Sequence, residues 1–434
     1  MLFCSSLFLF GFLPITLVLY KITPSRAKNY TLLASSIAFY AMTDISHLWL
    51  LLLTVAVNYI LCKIGAQYPK SARAMLSLCL IYDISVLFIF KYLGFFGIEV
   101  ALPVGISFYT FQCISYAKDV YDGDRGAKNL PEFSAYITMF PQLIAGPIVK
   151  YSDIDEQLRV KNYQITEGVM RFSLGLGKKM ILANYAGELF IRGFSTETAL
   201  GGWIGILGYA FQIYFDFSGY SDMAIGLGKL LGFDFPENFN YPYISKSIKE
   251  FWKRWHITLS SFFRDYLYIP LGGSRCSRLR NTLNLLLVWS LTGLWHGASL
   301  NFLLWGLYFF LLLSIERTPL YKKTAERLPV FVRRTVTFIL ILFGWLIFAS
   351  EDMHLFGERL RILFLSQAVS PESLWLLLTG AVFLLLCAIL STPHPMRLFN
   401  RHKHLRAPAV IAIFIISVAY VGSSGYNPFL YFRF

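Results

Sequence analysis

Long apolar runs separated by short polar segments make up most of the chain. In the first hundred residues these runs cover positions 1–20, 30–40, 48–62 and 75–96. Basic segments follow the first and third runs, whereas the second and fourth end beside acidic residues. Because Lys and Arg accumulate in cytoplasmic loops, this alternation predicts four membrane-spanning helices with the N-terminus on the extracytoplasmic side.

Two later segments are apolar but contain residues that disturb a helix. LPVGISFYTFQCISYAKDVYDG, at 102–123, includes Pro103, Gly105 and Gln112, and FPQLIAGPIVKY occupies 140–151. Irregular backbone at membrane depth is tolerated only inside protein or beside a cavity. The first segment is therefore expected to be a broken or re-entrant helix, and the second is not expected to span the membrane.

Ionisable residues lie within or beside the next two apolar runs. The run at 169–194 contains a pair of lysines at 178–179, which leaves its helix boundaries open. Asp216 and Asp222 lie at or beside the run at 203–217, where a charge usually faces a partner or a cavity, although an interfacial loop is an equal alternative. Small residues beyond this run would let helices approach closely: Gly219, Ser221, Ala224, Gly226 and Gly228.

The most basic part of the chain lies between Lys246 and Arg280, which predicts a cytoplasmic location. Within it, Trp252, Trp255, His256 and Leu259 fall at i, i+3, i+4 and i+7. This spacing predicts one face of a single helix, which lies in the membrane interface or dips into the protein. Either placement puts His256 on the apolar, aromatic face.

A helical hairpin is predicted after this segment. Apolar runs at 283–294 and 301–314 are joined by a short turn, and both outer ends of the pair are basic. His296 therefore stands at the turn, at membrane depth or toward the outer side. The remaining apolar runs, and a tail expected on the outer side, cover 336–349, 374–390, 410–421 and 428–434.

Composition extends this pattern to the whole chain. Of 434 residues, 56% are hydrophobic and only 15% are charged, with a mean hydropathy of +0.55. These values are typical of a polytopic membrane protein, here expected to form one domain, 1–434, with about ten to twelve spans. The net charge of +14 lies in loops, so the positive-inside rule explains it and no nucleic-acid partner is expected.

The candidate chemistry centres on two histidines. His296 and His256 could accept a proton from a hydroxyl near neutral pH, or each could be a buried histidine that merely bonds a neighbouring helix. Arg254, Arg264 and Arg275 could hold phosphates of an acyl donor or simply set the topology. The six cysteines form no CxxC pair, no HxxxH or HExxH surrounds the histidines, and no phosphate-binding loop occurs, so no disulfide framework, metal site or nucleotide hydrolysis is expected.

Six blocks of sequence together resemble the membrane-bound O-acyltransferase family, in the bacterial branch that acts in alginate O-acetylation and teichoic acid D-alanylation. The blocks occur in register along nearly the whole chain. They are LPVGISFYTFQ (102–112), FPQLIAGPIVKY (140–151), GYSDMAIGLGKLLGFDFPENFNYPY (219–243), FWKRWHITLSSFFRDYLYIPLGGSR (251–275), GLWHGASLNFLLWGLY (293–308) and the terminal PFLYFRF.

The resemblance implies an all-α bundle of about eleven or more membrane helices, with re-entrant elements around a central tunnel. The invariant histidine of the family corresponds to His296, and a second active-site residue corresponds to His256. His296 would deprotonate the acceptor hydroxyl, and His256 would orient or polarise the acyl group. The expected tunnel and donor-binding residues around them are Trp252, Arg254, Trp255, Ser260, Arg264, Asp265, Trp295 and Gly297.

The resemblance also implies a reaction and its partners. An acyl group, most simply acetyl, would pass from a cytoplasmic thioester such as acetyl-CoA or an acyl carrier toward an extracytoplasmic polysaccharide in the bacterial cytoplasmic membrane. No bound cofactor is expected, and a partner protein would dock, through Pro428 to Phe434 in one interpretation. Phe309 departs from the family, which often carries a further histidine there. D-alanyl transfer, a glycan or lipid transporter, and an assembly subunit that recruits the catalyst are the alternatives.

Overall fold

The computed structural model describes residues 1–98, 100–124 and 126–423, and within these ranges the chain is helical, without a β-strand. Close contacts divide the described residues into two compact units. The first comprises Met1–Leu176, Tyr220–Glu237 and Val418–Ser423, and the second comprises Gly177–Gly219 and Asn238–Ser417. The single domain expected from the sequence stays a prediction.

The first unit contains the early membrane helices. The apolar runs at 30–40, 48–62 and 75–96 correspond to the helices Lys28–Asp44, Leu48–Gln67 and Ala72–Tyr92, so helices at these positions are confirmed. Their alternating orientation across a membrane stays a prediction. A helix at Leu13–Ile22, preceded by the π-helix Phe8–Phe12, covers the first run. The other α-helices of this part of the chain are Ile106–Asp122, Leu130–Thr138, Phe140–Leu143, Tyr151–Ile154 and Ile165–Gly177.

The segment expected to contain a broken helix is regular after its first residues. Helix Ile106–Asp122 runs without interruption through Gln112, so a break at that residue is wrong, because a polar side chain leaves the backbone hydrogen bonds of a helix intact. The alternative of a re-entrant helix stays a prediction. Gly105 precedes the helix at φ 74°, and a Cβ there would overlap the carbonyl of Leu143. Phe140–Leu143 is only four residues long, which confirms that no span forms there.

Aromatic side chains form the interior of the first unit. The Phe3 and Tyr220 rings stack at 4.6 Å, and Phe12 and Phe140 meet edge to face at 5.3 Å. Close helix approach at small residues is confirmed at Gly226, where a Cβ would lie 2.6 Å from the backbone nitrogen of Phe172.

The second unit contains the later helices. The lysine pair at 178–179 opens a π-helix, Lys178–Ala183, which continues the preceding helix into the next one. The sequence showed an interruption here but not its form. The α-helices from this point are Asn184–Ser195, Ala199–Leu231, Ile248–Trp252, Ile257–Phe263, Arg278–His296, Leu300–Glu316, Pro319–Arg327, Val330–Ala349, Met353–Leu365, Pro371–Leu390, Pro393–Arg401 and Lys403–Ser423.

The predicted hairpin is present and its two helices are tightly packed. A Cβ at Gly293 would overlap the carbonyl of Phe302, and one at Gly306 would overlap the carbonyl of Trp289. Small residues thus allow the two backbones to touch, as in other membrane helix pairs. His296 is the last residue of the first helix, so its expected position at the turn is confirmed.

Five helical segments of the described chain are long and apolar enough to cross a membrane. A sixth span results if Leu300–Glu316 and Pro319–Arg327, which meet at 76°, count as one. This number is below the ten to twelve spans expected from composition, and the larger count stays a prediction. The five segments are Ser25–Gln67, Pro69–Tyr92, Val330–Ala349, Pro371–Leu390 and Lys403–Gly422.

Candidate active site

A cavity of about 230 Å³ lies in the second unit and has His256 in its wall. Part of the lining is exposed and cationic, through Lys249, Lys253 and Arg264, whereas Trp252 and His256 are buried. The cavity therefore passes from positive charge at the surface to aromatic side chains inside. The other lining residues are Leu259, Ser260, Phe263, Tyr268, Leu285, Val288, Trp289, Thr292 and Leu313.

The chain turns sharply just before His256, so the single helix predicted from the spacing of the tryptophans is wrong. Helix Ile248–Trp252 ends, and His256 takes a left-handed conformation (φ 42°) before helix Ile257–Phe263 begins. The backbone groups that would continue the helix are engaged elsewhere: the carbonyl of Arg254 accepts from the Asn240 N–H. Trp252 and His256 nevertheless meet at the same cavity.

Asn238 fixes the tautomer of His256. The Oδ1 atom of Asn238 accepts from the backbone N–H of Thr258 at 3.3 Å and from its hydroxyl at 2.9 Å. A backbone N–H is always a donor, so the Asn238 atom at this point is the oxygen. Nδ1 of His256 lies 3.0 Å from the same oxygen and must therefore carry the proton. In the neutral ring, Nε2 is then an acceptor.

Burial keeps the His256 ring neutral. The side chain is 1% exposed, and Phe217 packs edge-on to it at 4.7 Å. This removal from water lowers the pKa of His256 to about 3. Nε2 is buried and has no hydrogen-bond partner among the residues that the structure describes. His256 thus lines the cavity with a neutral ring whose acceptor nitrogen is unpartnered among the described residues.

His296 lies in an aromatic environment of its own. Its ring meets those of Trp305 at 5.1 Å and Phe348 at 5.0 Å, both nearly perpendicular. The cavity lining includes His256 but not His296. Trp295 lies between the two histidines in contact terms, because its ring lies 5.9 Å from that of His256 and 4.9 Å from that of His296. The fold thus brings two histidines that are 40 positions apart in the sequence into contact with the same tryptophan.

Three further residues expected around a tunnel line the cavity, namely Trp252, Ser260 and Arg264. The Ser260 hydroxyl donates to the carbonyl of Trp252 at 3.3 Å. Asp265 accepts two hydrogen bonds from the Arg264 guanidinium, at 2.6 and 3.1 Å. Asp265 therefore holds the arginine rather than lining the cavity itself.

The other expected residues are near this region but outside the lining. Arg254 is occupied by Glu250, at 2.9 Å, and Trp255 packs on Trp345 at 4.7 Å. Arg275 is exposed. Gly297 follows the helix that ends at His296, where a Cβ would lie 2.5 Å from the Phe302 ring.

Two residues of this region were missed by reasoning from the sequence. Asn238 stands inside a recognised block, but nothing in its spacing pointed to His256. Glu316 accepts from the backbone N–H groups of Ile248 at 2.6 Å and Lys249 at 2.9 Å. Its carboxylate thereby holds the N-terminus of the helix that supplies Trp252, where a negative charge is also favoured by the helix dipole.

The two aspartates singled out in the sequence both have cationic partners. Asp216 pairs with Lys179 at 2.7 Å, and both side chains are almost fully buried. Asp222 pairs with Arg171 at 2.7 Å within the first unit. Both aspartates lie in helix Ala199–Leu231, so the partner interpretation is confirmed and the interfacial loop is wrong.

Among the residues that the structure describes, no group of three or more His, Cys, Asp or Glu side chains could hold a metal ion. The tail proposed to dock a partner, Pro428 to Phe434, lies outside the described residues.

Comparison with known proteins gives a consistent picture. The sequence profile described as "MBOAT, membrane-bound O-acyltransferase family" matches residues 33–350. The probable alginate O-acetylase AlgI of Azotobacter vinelandii is 43% identical over 379 residues, covering 81% of this chain and 76% of its own. The peptidoglycan O-acetyltransferase of Helicobacter pylori is 36% identical, covering 82% and 78%. The teichoic acid D-alanyltransferase of Bacillus subtilis is 29% identical, covering 58% and 69%.

Proposed function

Because this chain belongs to the membrane-bound O-acyltransferase family, we propose that it transfers an acetyl group from a cytoplasmic thioester to a hydroxyl of an extracytoplasmic polysaccharide. The names of two relatives above 30% identity, the probable alginate O-acetylase and the peptidoglycan O-acetyltransferase, support acetyl as the group transferred. The D-alanyltransferase is less similar and covers less of the chain, which makes D-alanyl transfer the second candidate.

The observation that carries this proposal is the buried His256, with an unpartnered Nε2, in the wall of a cavity that has cations at its exposed part. A thioester donor built on phosphopantetheine has phosphates at one end and amides and a thioester at the other. Lys249, Lys253 and Arg264 suit the phosphates, and the buried part of the cavity suits the acyl end.

The two histidines take different roles in this proposal. His296 accepts the proton of the acceptor hydroxyl as its oxygen attacks the thioester carbon. The new C–O bond forms, the C–S bond breaks, and the departing thiolate takes that proton to leave as a thiol. Nε2 of His256 carries no proton, so it cannot polarise the carbonyl by donation. It orients the donor instead, by accepting a hydrogen bond from a donor amide N–H.

The remaining expectations belong to the same proposal. The protein is a multi-pass component of the bacterial cytoplasmic membrane, with the N-terminus outside and one domain of about eleven or more helices around a tunnel. The acyl group passes at the outer side to the polysaccharide, directly or through an acyl-transferring partner protein. The match of the family profile over residues 33–350 and the alternation of basic and acidic loops support this arrangement.

The direct test uses purified protein in proteoliposomes, with labelled acetyl-CoA or labelled D-alanyl carrier protein outside and an acceptor polysaccharide inside. Wild type is expected to acetylate the polysaccharide, and His296→Ala is expected to lose at least about a hundredfold in rate. His354→Gln is the matched control because His354 is exposed. Unchanged acetylation by folded His296→Ala would refute the assignment, and transfer from the D-alanyl donor alone would favour the second candidate.

A further inference from the structure

We propose that Lys28, Arg159 and Lys161, in the first unit, form a binding site for a phosphate group. These residues are separate from the cavity lined by His256, and the proposal does not rest on the proposed function. The starting observation is a set of buried cationic donors. Nε and Nη2 of Arg159 and Nζ of Lys161 are all shielded from solvent and lack a hydrogen-bond partner among residues 1–98, 100–124 and 126–423.

The nearest carboxylate does not satisfy these donors. Oε1 of Glu132 lies 3.5 Å from Nη2 of Arg159, beyond the usual range for an N–H donor. The same oxygen accepts a 2.5 Å hydrogen bond from the Tyr151 hydroxyl. Arg159 and Lys161 therefore share one nearby carboxylate, which is already engaged by Tyr151.

Lys161 is held over an aromatic ring rather than beside an acceptor. Its Nζ lies 3.8 Å from the centre of the Phe233 ring. The Lys161 Cβ lies close to Gly232, where a side-chain Cβ would be only 2.8 Å from it. Burial, and next the positive charge of Lys28, lower the pKa of Lys161 to about 7. A buried ammonium in this position is costly without an anion, and a bound anion would restore its charge.

The backbone around the site is held firmly in place. The N–H of Asn162 donates to the carbonyl of Gly232, and the N–H of Gln164 donates to that of Lys229. The Asn29 side chain donates to the carbonyl of Leu158 at 2.9 Å, which brings the first turn of helix Lys28–Asp44 against the Arg159 segment. The donors are thus preorganised by the fold.

The position of Lys28 favours phosphate as the anion. Lys28 lies at the beginning of a candidate span, Ser25–Gln67, where a lipid headgroup would be found. Its Nζ donates to the carbonyl of Tyr20 and lies 4.7 and 5.1 Å from the rings of Tyr20 and Tyr163. A guanidinium and two ammonium groups match the several oxygens of one phosphate. The phosphate could belong to an anionic lipid or to a soluble molecule.

The test measures the melting temperature of the purified protein in phosphate-free detergent buffer. One series adds adenosine 3′,5′-bisphosphate against sodium chloride of equal ionic strength. The other adds dioctanoylphosphatidylglycerol against dioctanoylglycerol, which lacks the phosphate. Stabilisation of wild type in the lipid series alone would assign a headgroup, and in the bisphosphate series alone a soluble phosphate. No stabilisation of wild type in either series would overturn the proposal, whatever the variants do.

Variants then locate the site. Arg159→Gln and Lys161→Met are expected to lower the affinity for the stabilising ligand at least about tenfold, whereas Lys161→Arg should keep the affinity of wild type. Without phosphate, Lys161→Met should melt no lower than wild type, because it removes a buried charge. The matched control is Lys322→Gln with Lys323→Gln, two lysines of helix Pro319–Arg327 in the second unit. Equal ligand responses in Lys161→Met and wild type would place the phosphate elsewhere and overturn the assignment.

Discussion

Nδ1 of His256 donates to Oδ1 of Asn238 over 3.0 Å, and this contact leaves Nε2 as the acceptor nitrogen of the ring. We expect Asn238→Leu to release the ring and lower kcat at least about tenfold with a smaller change in KM, because the donor still binds but is misaligned. Steady-state kinetics of acetyl transfer on the folded fraction provide the measurement.

Two variants separate this positioning effect from a loss of stability. Asn238→Asp keeps an acceptor oxygen for Nδ1 and is expected to restore most of kcat. Thr258→Val removes another donor to the same oxygen but leaves the histidine contact, so its kcat should stay near that of wild type. Wild-type kcat in Asn238→Leu would contradict the positioning role.

The buried state of His256 makes folding stability depend on pH. The folded ring has a pKa of about 3, whereas an unfolded histidine has about 6.5. The unfolded chain therefore binds an extra proton below pH 6.5. The contribution of neutral His256 to the free energy of unfolding is thus fully present above pH 6.5 and is lost as the pH falls toward 3. Its slope is at most about 1.4 kcal/mol per pH unit. Between pH 7.5 and 4.5 the melting temperature should fall less for His256→Gln than for wild type. The melting temperature of His354→Gln should follow that of wild type. An equal dependence of melting temperature on pH in all three proteins would contradict this role of His256.

The size of the cavity is expected to limit what it binds. Val288 lines the cavity, whereas its neighbour Leu287 is 42% exposed and is absent from the lining. Val288→Phe should fill part of the space and lower kcat/KM for acetyl transfer at least about tenfold. Leu287→Phe adds more ring surface on the outer side and should have little effect. Similar kinetics in the two variants would show that the donor uses another route.

The ion pair between Lys179 and Asp216 should behave as a buried pair. Lys179→Met leaves a buried carboxylate without this partner and is expected to cost about 3–5 kcal/mol of unfolding free energy. Lys179→Met combined with Asp216→Leu should recover most of that loss.

Thermal unfolding of the single and double variants gives the coupling between the two sites. The exposed pair Lys118–Asp122 is the control, and Lys118→Met should cost less than about 1 kcal/mol. A double variant less stable than Lys179→Met alone would contradict the expectation.

Hydrophobic patterning located the helices well because burial in lipid or protein requires apolar side chains, whatever the tertiary contacts. It placed Lys28–Asp44, Leu48–Gln67 and Ala72–Tyr92, and it put His296 at the end of its helix. It failed at Trp252 to Leu259. There the helical spacing is real, but Asn238 and Asn240 take the backbone groups that a continuous helix would use. Such competition comes from a distant segment and leaves no local signal.

Polar pairings show the same limit. The sequence indicated that Asp216 needed a partner, because an ionisable group in an apolar run is costly. It did not indicate Lys179, since the two lie 37 residues apart on different helical segments. Glu316 carried no signal at all, because an acidic residue at the end of an apolar run looks like any loop boundary. The identity of the partner depends on three-dimensional packing, whereas the energetic cost of burying a charge can be inferred from the sequence at each position.

The left-handed backbone of His256 separates the demands of folding from those of chemistry. A residue with a Cβ loses roughly 1–2 kcal/mol in this conformation, and the unpaired Nε2 adds a further cost. Asn and Gly adopt it more readily. Selection of random variants for heat resistance alone should therefore enrich Asn, a smaller polar residue, at this position, and selection for acetyl transfer should return histidine. Stability and activity would then favour different residues at position 256.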